Sequence, residues 1–365
     1  MFLVERIIGI STYVAILLLI FLLLVNNNIN LKKILNLYTL ILAIMAFFYI
    51  PPPGEDLCRI FEIMQSYRQI SFSSFISSLS FSSIPIALLL YYIIAKIGFF
   101  GLLPAIVTFI TFKNIFYIIC DVAKKNNIEN KSTRWLVIFI MATGLFGYLV
   151  TNIRALLSLS MVSRCFYDEF INEKNILKDI PLYLIAVFIH PICFFVILIR
   201  IFYYIFFDFK VKKIYKFIIL TLMLLSTMFF KNYYIMAIDK FYKYLIDGNY
   251  FWIYEFIKLI FLDLYVFIFS FINKNNKFKK ISNYIIIVLI MICIIGEFNL
   301  FMRISYFCAI LFLPILGKLI VYHKKDRSFN LITFLNIIII LLISCTRCHL
   351  SSYKFFLIKW GDYFE

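Results

Sequence analysis

Long apolar runs, separated by short clusters of lysine, make up most of the chain. Runs such as residues 7–25 and 301–321 have the length of about 20 residues that a helix needs to cross a bilayer. Their apolar positions are continuous, whereas the strands of a membrane barrel alternate. The pattern therefore predicts an all-α protein, a polytopic transmembrane helical bundle of about 11 to 13 hydrophobic segments, as one membrane domain over residues 1–365.

The lysine clusters predict the orientation of these segments. Positive residues concentrate in the cytoplasmic loops of membrane proteins, so we assign the six clusters to the cytoplasmic side and both chain termini to the outside. The clusters begin at Lys32, Lys124, Lys174, Lys210, Lys274 and Lys324. The runs between them fall mostly into pairs of spans joined by short periplasmic loops. The pairs are residues 135–150 with 153–170, 217–230 with 251–272, and 284–295 with 301–321.

Two regions do not fit a simple series of spans. Residues 85–121 are too long for one span and awkward for two, so we predict one crossing plus a tilted or in-plane piece around residues 98–104. Residues 180–207 are shorter than the roughly 40 residues of two full spans, and they contain His190 followed by Pro191. A residue before proline is pushed out of the helical conformation, which predicts a helix break. Such a break at membrane depth is tolerated where it lines a protein cavity.

Residues 51–83 form the longest predicted outer segment, periplasmic or lying in the interface. It opens with three prolines and Gly54, which make a rigid exit from the membrane. Residues 55–69 carry apolar side chains at helical spacing, which predicts a short amphipathic helix in the interface. Serine-rich residues 71–83 are expected at the headgroup level. The apolar positions of the predicted helix are Leu57, Ile60, Phe61 and Met64.

The net charge of +17 does not indicate nucleic-acid binding in a chain that is 64% hydrophobic. The lysines lie in short loops between apolar runs, where they suit anionic lipid headgroups. No basic patch is interleaved with a soluble domain. Membrane lipids are therefore predicted partners, and nucleic acid is not.

A C-x-x-C-H pattern occupies residues 345–349 and matches the attachment motif of c-type haem. It occurs in a single copy without a soluble haem pocket, so a disulfide or two free thiols at Cys345 and Cys348 is the favoured interpretation. A metal site has less support than a haem site, because the whole chain has three histidines. We predict neither a cofactor nor a metal.

Four charged or titratable side chains stand at or near the ends of apolar segments: Asp56, Arg154, His190 and Arg303. A charge at membrane depth is costly and usually faces a cavity in which it has a function. The predicted topology places all four on the outer side. Their convergence predicts a functional site there.

Asp56 and Arg154, which lie nearest the predicted outer loops, each have two interpretations. Asp56 either pairs with Arg59 on the amphipathic helix or stands over a cavity mouth, where its carboxylate orients or deprotonates a sugar hydroxyl. Arg154, beside Asn152, either extends to headgroups or binds a pyrophosphate in bidentate fashion. We favour the phosphate ligand for Arg154, since the neighbouring sequence contains no carboxylate.

Arg303 and His190 also have two interpretations each. Arg303 either pairs with Glu297 or, flanked by Tyr306, serves as a second phosphate ligand. His190 is either a structural histidine or, because it lies at the predicted helix break, a proton acceptor in the site.

These pieces, in this order, resemble the O-antigen and exopolysaccharide polymerases of the Wzy/EpsG type. Residues 54–61 resemble the outer-loop G-x-D-x-x-R-[YF] stretch of that family, with one residue of slack, and residues 153–158 resemble its I-R-x-x-[LA]-[AS] helix start. Phe188 and His190 resemble a span ending in F-H, with one residue inserted. Arg303, Tyr306 and Phe307 loosely resemble a late R-x-x-x-Y-F.

The resemblance implies a glycosyltransferase of the GT-C type, multi-pass in the bacterial inner membrane with its active site facing the periplasm. Such an enzyme transfers a growing glycan from undecaprenyl pyrophosphate to the next lipid-linked repeat unit, beside a flippase and a chain-length regulator as further partners. Asp56 or His190 would accept the proton, and Arg154 and Arg303 would hold the pyrophosphate. The alternative is a lipid-linked oligosaccharide flippase or other transporter, which also needs cations in a membrane cavity.

Overall fold

The computed structural model describes residues 30–51, 55–80, 82–142, 145–205, 276–295 and 298–322. Within these ranges the regular structure is helical, without strands, as the apolar pattern predicts. The predicted spans over residues 7–25, 217–230 and 251–272, and the cysteine motif at residues 345–349, lie outside them.

Twelve α-helices and one short 3-10 turn, Ile176–Lys178, make up the described ranges. The helices are α1 (Leu31–Phe47), α2 (Asp56–Tyr67), α3 (Phe72–Leu79), α4 (Pro85–Ile97), α5 (Leu102–Lys125), α6 (Asn130–Ala142), α7 (Leu145–Thr151), α8 (Ile153–Asn172), α9 (Ile180–Ile189), α10 (Ile192–Tyr203), α11 (Asn276–Ile295) and α12 (Phe298–Tyr322).

The long helices run alternately up and down, so that the bundle has two chemically different ends. At one end, which we call the lysine end, Lys32 of α1 and Lys124 of α5 line one shallow pocket. Lys277 of α11 forms an ion pair of 3.1 Å there with Glu173, which follows α8. The opposite end, which we call the site end, holds the start of α2 and of α8. The described lysines of the predicted clusters at residues 32–33, 124–125 and 274–280 thus lie at one end of the bundle.

Two glycines permit close helix contacts at the two ends. At the site end, a Cβ on Gly101 would lie 2.3 Å from the carbonyl oxygen of Phe47, so the start of α5 packs directly on the end of α1. At the lysine end, a Cβ on Gly317 of α12 would lie 2.2 Å from Cγ1 of Val122 on α5. Small residues at such crossings allow backbones to approach closely.

Helix α8 is the centre of the bundle, although it is among the less apolar helices. It contacts α5, α7, α9, α10, α11 and α12. Its serines at positions 158, 160 and 163 are fully buried, and each donates to a backbone carbonyl of its own helix. Because those hydroxyls are satisfied locally and the side chains are small, neighbouring helices can pack close to α8.

A helical break occurs at His190, as predicted. Helix α9 ends at Ile189, His190 is extended at φ −154° and ψ 126°, and α10 begins after Pro191. Tyr183 on α9 and Arg200 on α10 both donate to the one carboxylate of Glu169 on α8.

Helices α9 and α10 therefore form a hairpin rather than one kinked rod. Arg200 follows Tyr183 by 17 positions, and a straight helix would separate their Cα atoms by about 25 Å. A tyrosine and an arginine side chain that meet at one carboxylate cannot bridge that distance. The chain must reverse at His190, which lies at the tip of the hairpin.

Two other irregular regions differ from the prediction. The region predicted over residues 85–121 divides at Gly98, which ends α4 at φ 95°, into the 13-residue α4 and the 24-residue α5. The separate piece predicted around residues 98–104 is a short turn over residues 98–101, and α5 has begun by residue 102. The predicted span over residues 135–150 is itself broken, because Ser132–Ile140 and Leu145–Thr151 are bent by 40°. This second break was not predicted.

Helix α5 and the segment Arg303–Val321 of α12 are long and apolar enough to cross a membrane. Helices α6 and α7 give a third candidate if the bent pair counts as one span. These counts rest on length and composition within the described part of the chain, and they support a membrane protein.

Single-cysteine labelling tests the orientation of the bundle. In a cysteine-free background, Ser66→Cys on the exposed side of α2 is expected to react with a membrane-impermeant maleimide on intact cells. Lys277→Cys, half-exposed at the lysine end, is the matched control and is expected to react only after the cells are permeabilised. Labelling of Lys277→Cys in intact cells would invert the topology and place the site end in the cytoplasm.

Candidate functional site

An ion pair between Asp56 and Arg154 is the centre of the site end. One nitrogen of the guanidinium, Nη2, lies 3.0 Å from both carboxylate oxygens of Asp56. The two side chains are about one quarter and one third exposed. Asp56 therefore pairs with a residue 98 positions away, and Arg59, the alternative partner considered from the sequence, is exposed.

The pairing corrects the prediction that Arg154 has no carboxylate nearby. It still leaves most of the guanidinium available, because Asp56 occupies Nη2 alone. Nε is buried without a hydrogen-bond partner. An arginine has five N–H donors in a planar fork, so Arg154 can bind an anion while Asp56 holds it in place.

The local backbone explains why the two residues attract each other. Asp56 is the acidic residue in the first turn of α2, where the helix dipole favours a negative charge. Arg154 occupies the first turn of α8, where the same dipole disfavours a positive charge. Asn152 does not cap α8, since its side-chain amide donates to Oγ1 of Thr151 at 2.9 Å. The N-terminus of α8 and Arg154 together favour an anion at this point.

Arg303 supplies a second positive charge. It lies in the second turn of α12 and is half-buried, and its Nε has no hydrogen-bond partner. None of the ion pairs of the described residues includes Arg303. Glu297, its predicted alternative partner, lies outside those residues. Together, Arg154, Arg303 and Asp56 carry a formal charge of +1.

His190 lies close enough to Arg154 and Arg303 for both positive charges to influence its imidazole. The tip of the hairpin therefore lies in the same region as the two arginines. The Nδ1 of His190 accepts a hydrogen bond of 3.1 Å from the backbone N–H of Ile192. In a neutral imidazole the other nitrogen then carries the proton. The geometry therefore favours His190 as a hydrogen-bond donor through Nε2, rather than the proton acceptor that the sequence suggested.

Tyr91 on α4 is a site residue that the sequence analysis missed. Its side chain is 1% exposed, and its hydroxyl is buried without a hydrogen-bond partner. The charges of Arg154 and Asp56 both act on it, and α4 packs on α2 and on α9. A buried hydroxyl without a partner is unfavourable, so a ligand that accepts its hydrogen bond would be stabilised there.

Tyr306, the remaining predicted ligand, is buried and lies one helical turn beyond Arg303 on α12. The two residues share a face of the helix. Its ring belongs to the bundle core rather than to an open surface.

A second polar network, at the lysine end, was also not predicted. Asp168 on α8 accepts hydrogen bonds from Tyr117 at 3.0 Å, from Asn172 at 2.5 Å and from Lys174. The hydrogen bond to Asp168 raises the pKa of Lys174 in the loop after α8, so Lys174 stays charged at neutral pH. Tyr167 donates to Asp121 at 2.7 Å. The network is internally satisfied, which is typical of a structural role.

The site end is thus equipped to bind an anion. Within the described ranges no group of three or more histidine, cysteine or acidic residues could hold a metal ion. The available chemistry consists of two guanidinium groups, an imidazole N–H, a phenol and one carboxylate. Comparison of the chain with protein families, with curated proteins and with solved structures finds no match in any of the three.

Proposed function

We propose that the protein is a membrane-embedded glycosyltransferase that polymerises lipid-linked oligosaccharide repeat units. The growing glycan would pass from undecaprenyl pyrophosphate to the next lipid-linked unit, at the site end of the bundle and on the periplasmic face. The observation that carries the proposal is the cluster of Arg154, held by Asp56, with Arg303 and His190, in an otherwise apolar bundle. The order of sequence motifs around the same residues supports it.

The chemistry needs little beyond these groups. A hydroxyl oxygen of the acceptor sugar forms a bond to the anomeric carbon of the donor, and the bond from that carbon to the pyrophosphate oxygen breaks. Pyrophosphate leaves with the bonding electrons and stays attached to its lipid. Arg154 and Arg303 stabilise the charge that develops on it, in a site with little water. The hydroxyl proton passes to the Asp56 carboxylate, whose oxygens keep lone pairs beyond those facing Nη2.

The experiment that tests the proposal uses the purified full chain in detergent or nanodiscs with undecaprenyl-pyrophosphate-linked repeat units. We expect a ladder of longer lipid-linked glycans, with release of undecaprenyl pyrophosphate in equal number to the bonds formed. Unchanged substrate would contradict polymerisation.

A lipid-linked oligosaccharide flippase is the second candidate, and the two broken segments favour it. Broken helices at membrane depth are common at the binding sites of transporters, and both α6–α7 and α9–α10 are interrupted. Proteoliposomes loaded with the same substrate separate the two functions. A flippase would move the intact oligosaccharide across the bilayer without changing its length.

Replacement of the missed tyrosine tests whether its hydroxyl faces the substrate. Tyr91→Phe removes one oxygen and keeps the packing, so the protein is expected to be equally stable or slightly more stable. Chain extension should fall by about tenfold, the effect of one hydrogen bond of roughly 1 to 1.5 kcal/mol. Tyr92→Phe, on the same helix, is the control. Normal extension by Tyr91→Phe would show that the hydroxyl has no part in the reaction.

A further inference from the structure

Glu169 ties both arms of the hairpin to the central helix. Tyr183 of α9 donates to Oε1 of Glu169, and Nε of Arg200 on α10 donates to Oε2 at 3.2 Å. The side chains of Arg200 and Glu169 are almost fully buried. The guanidinium also lies 4.4 Å above the ring of Phe170. One carboxylate thus closes the open end of the hairpin.

The tip of the hairpin is held at the other end of α8. The Cys193 thiol, three residues after His190, is fully buried and lies near Ser158, which is one helical turn from Arg154. Tyr284 of α11 fixes the middle of α10 by donating to the carbonyl of Val196 at 2.8 Å. Because the arms meet at His190, the separation that Glu169 imposes at the open end affects where His190 sits.

We propose that Glu169 is a positioning residue, which holds the two arms of the hairpin together and thereby places His190 beside Arg154 and Arg303. Apolar side chains would fill this space at least as favourably as a buried ion pair. An ion pair fixes one geometry of its partners, which apolar packing does not. The effect on the hairpin follows from the contacts alone, whereas any effect on glycan length rests on the proposed function.

Cys193 is a native reporter for this arrangement, because its side chain is 0% exposed. In a background where it is the sole cysteine, it should react slowly with a membrane-permeant maleimide. Glu169→Ala removes both hydrogen bonds, and labelling is expected to accelerate by at least about tenfold. Tyr183→Phe removes one hydrogen bond, so its labelling rate should lie between those of the wild type and Glu169→Ala. Glu169→Gln can still accept from Arg200 and donate to Tyr183, so it should restore slow labelling.

Asp168→Asn is the matched control, since Asp168 is the neighbouring buried carboxylate on α8 and bonds only outside the hairpin. It should leave Cys193 protected. Equal protection of Cys193 in Glu169→Ala, or equal acceleration in Asp168→Asn, would overturn the proposal. If Glu169→Ala does not insert, Tyr183→Phe decides alone, and wild-type labelling of that variant would count against Glu169.

The polymerisation assay on the same variants separates the two proposals. Glu169→Ala should shorten the glycan ladder in step with its labelling rate, and Glu169→Gln should restore it. If the wild-type protein makes no polymer, the proposed function fails while the labelling experiment still tests the hairpin. If polymer forms but its length does not follow labelling, Glu169 does not position His190 for the reaction.

Discussion

Arg154→Ala and Arg303→Ala are each expected to abolish long-chain polysaccharide while the protein remains inserted in the membrane. A charged hydrogen bond to a phosphate in a site with little water contributes about 2 to 4 kcal/mol, which is roughly a 30- to 1,000-fold change in rate. Loss of Arg154 also leaves Asp56 without its partner, so the effect of Arg154→Ala should be at the upper end. The measurement is the ladder of glycan lengths made by membranes that contain equal amounts of each variant.

Lysine variants and a distant arginine provide the controls. Arg154→Lys and Arg303→Lys should rescue only in part, because an ammonium cannot bind a phosphate in bidentate form. Arg164, ten positions after Arg154 on α8, bonds to Asn114 at 3.3 Å and lies over the ring of Tyr117, well away from the site end. Arg164→Ala should retain long chains. Near-normal ladders from both site arginine variants would remove the pyrophosphate site from the account.

Asp56→Asn is expected to stop chain extension without weakening the binding of the lipid-linked substrate. The amide oxygen can still accept from Arg154, but the formal charge of the site rises from +1 to +2, which favours an anion. An amide cannot take the hydroxyl proton, and loss of a general base lowers a rate by about 10²- to 10⁴-fold. We therefore expect kcat to fall while KM stays the same or decreases.

Two further variants decide what Asp56 does. Asp121→Asn, at the lysine end where Asp121 pairs with Lys125 at 3.2 Å, should behave as the wild type. His190→Gln should have a milder effect than Asp56→Asn, because the glutamine amide can still donate a hydrogen bond. Loss of activity in His190→Gln with normal ladders from Asp56→Asn would make the histidine the essential group and Asp56 merely the partner of Arg154.

The sequence predicts the fold where the cause is local. Proline after His190 disfavours a helical conformation at His190, and the spacing of Leu57, Ile60 and Met64 defines the buried face of α2, so both features could be predicted. The convergence of Asp56 and Arg154 followed from the alternation of lysine clusters. That the two residues form an ion pair did not, because spacing along one helix indicates only partners three or four positions away, such as Arg59.

The features that sequence reasoning missed depend on packing between helices. A tyrosine such as Tyr91 in an apolar helix is typical of a hydrophobic core. Its assignment to the site depends on its buried hydroxyl, which has no hydrogen-bond partner in the structure. Glu169 stands near the predicted cytoplasmic end of a span, where a carboxylate usually faces headgroups. Its role as a bond between two hairpin arms arises because α9 and α10 both pack on α8, which no local pattern encodes.

A cryo-electron microscopy structure of the full chain in nanodiscs, with a non-hydrolysable phosphonate analogue of the undecaprenyl-pyrophosphate-linked unit, would test whether the site end binds pyrophosphate. We expect density for the two phosphorus groups within hydrogen-bonding distance of the guanidinium nitrogens of Arg154 and Arg303. The Nε2 of His190 and the hydroxyl of Tyr91 should face the same group, and the first sugar should lie next to Asp56. Density for the phosphorus groups at the lysine end, or away from both arginines, would contradict this expectation.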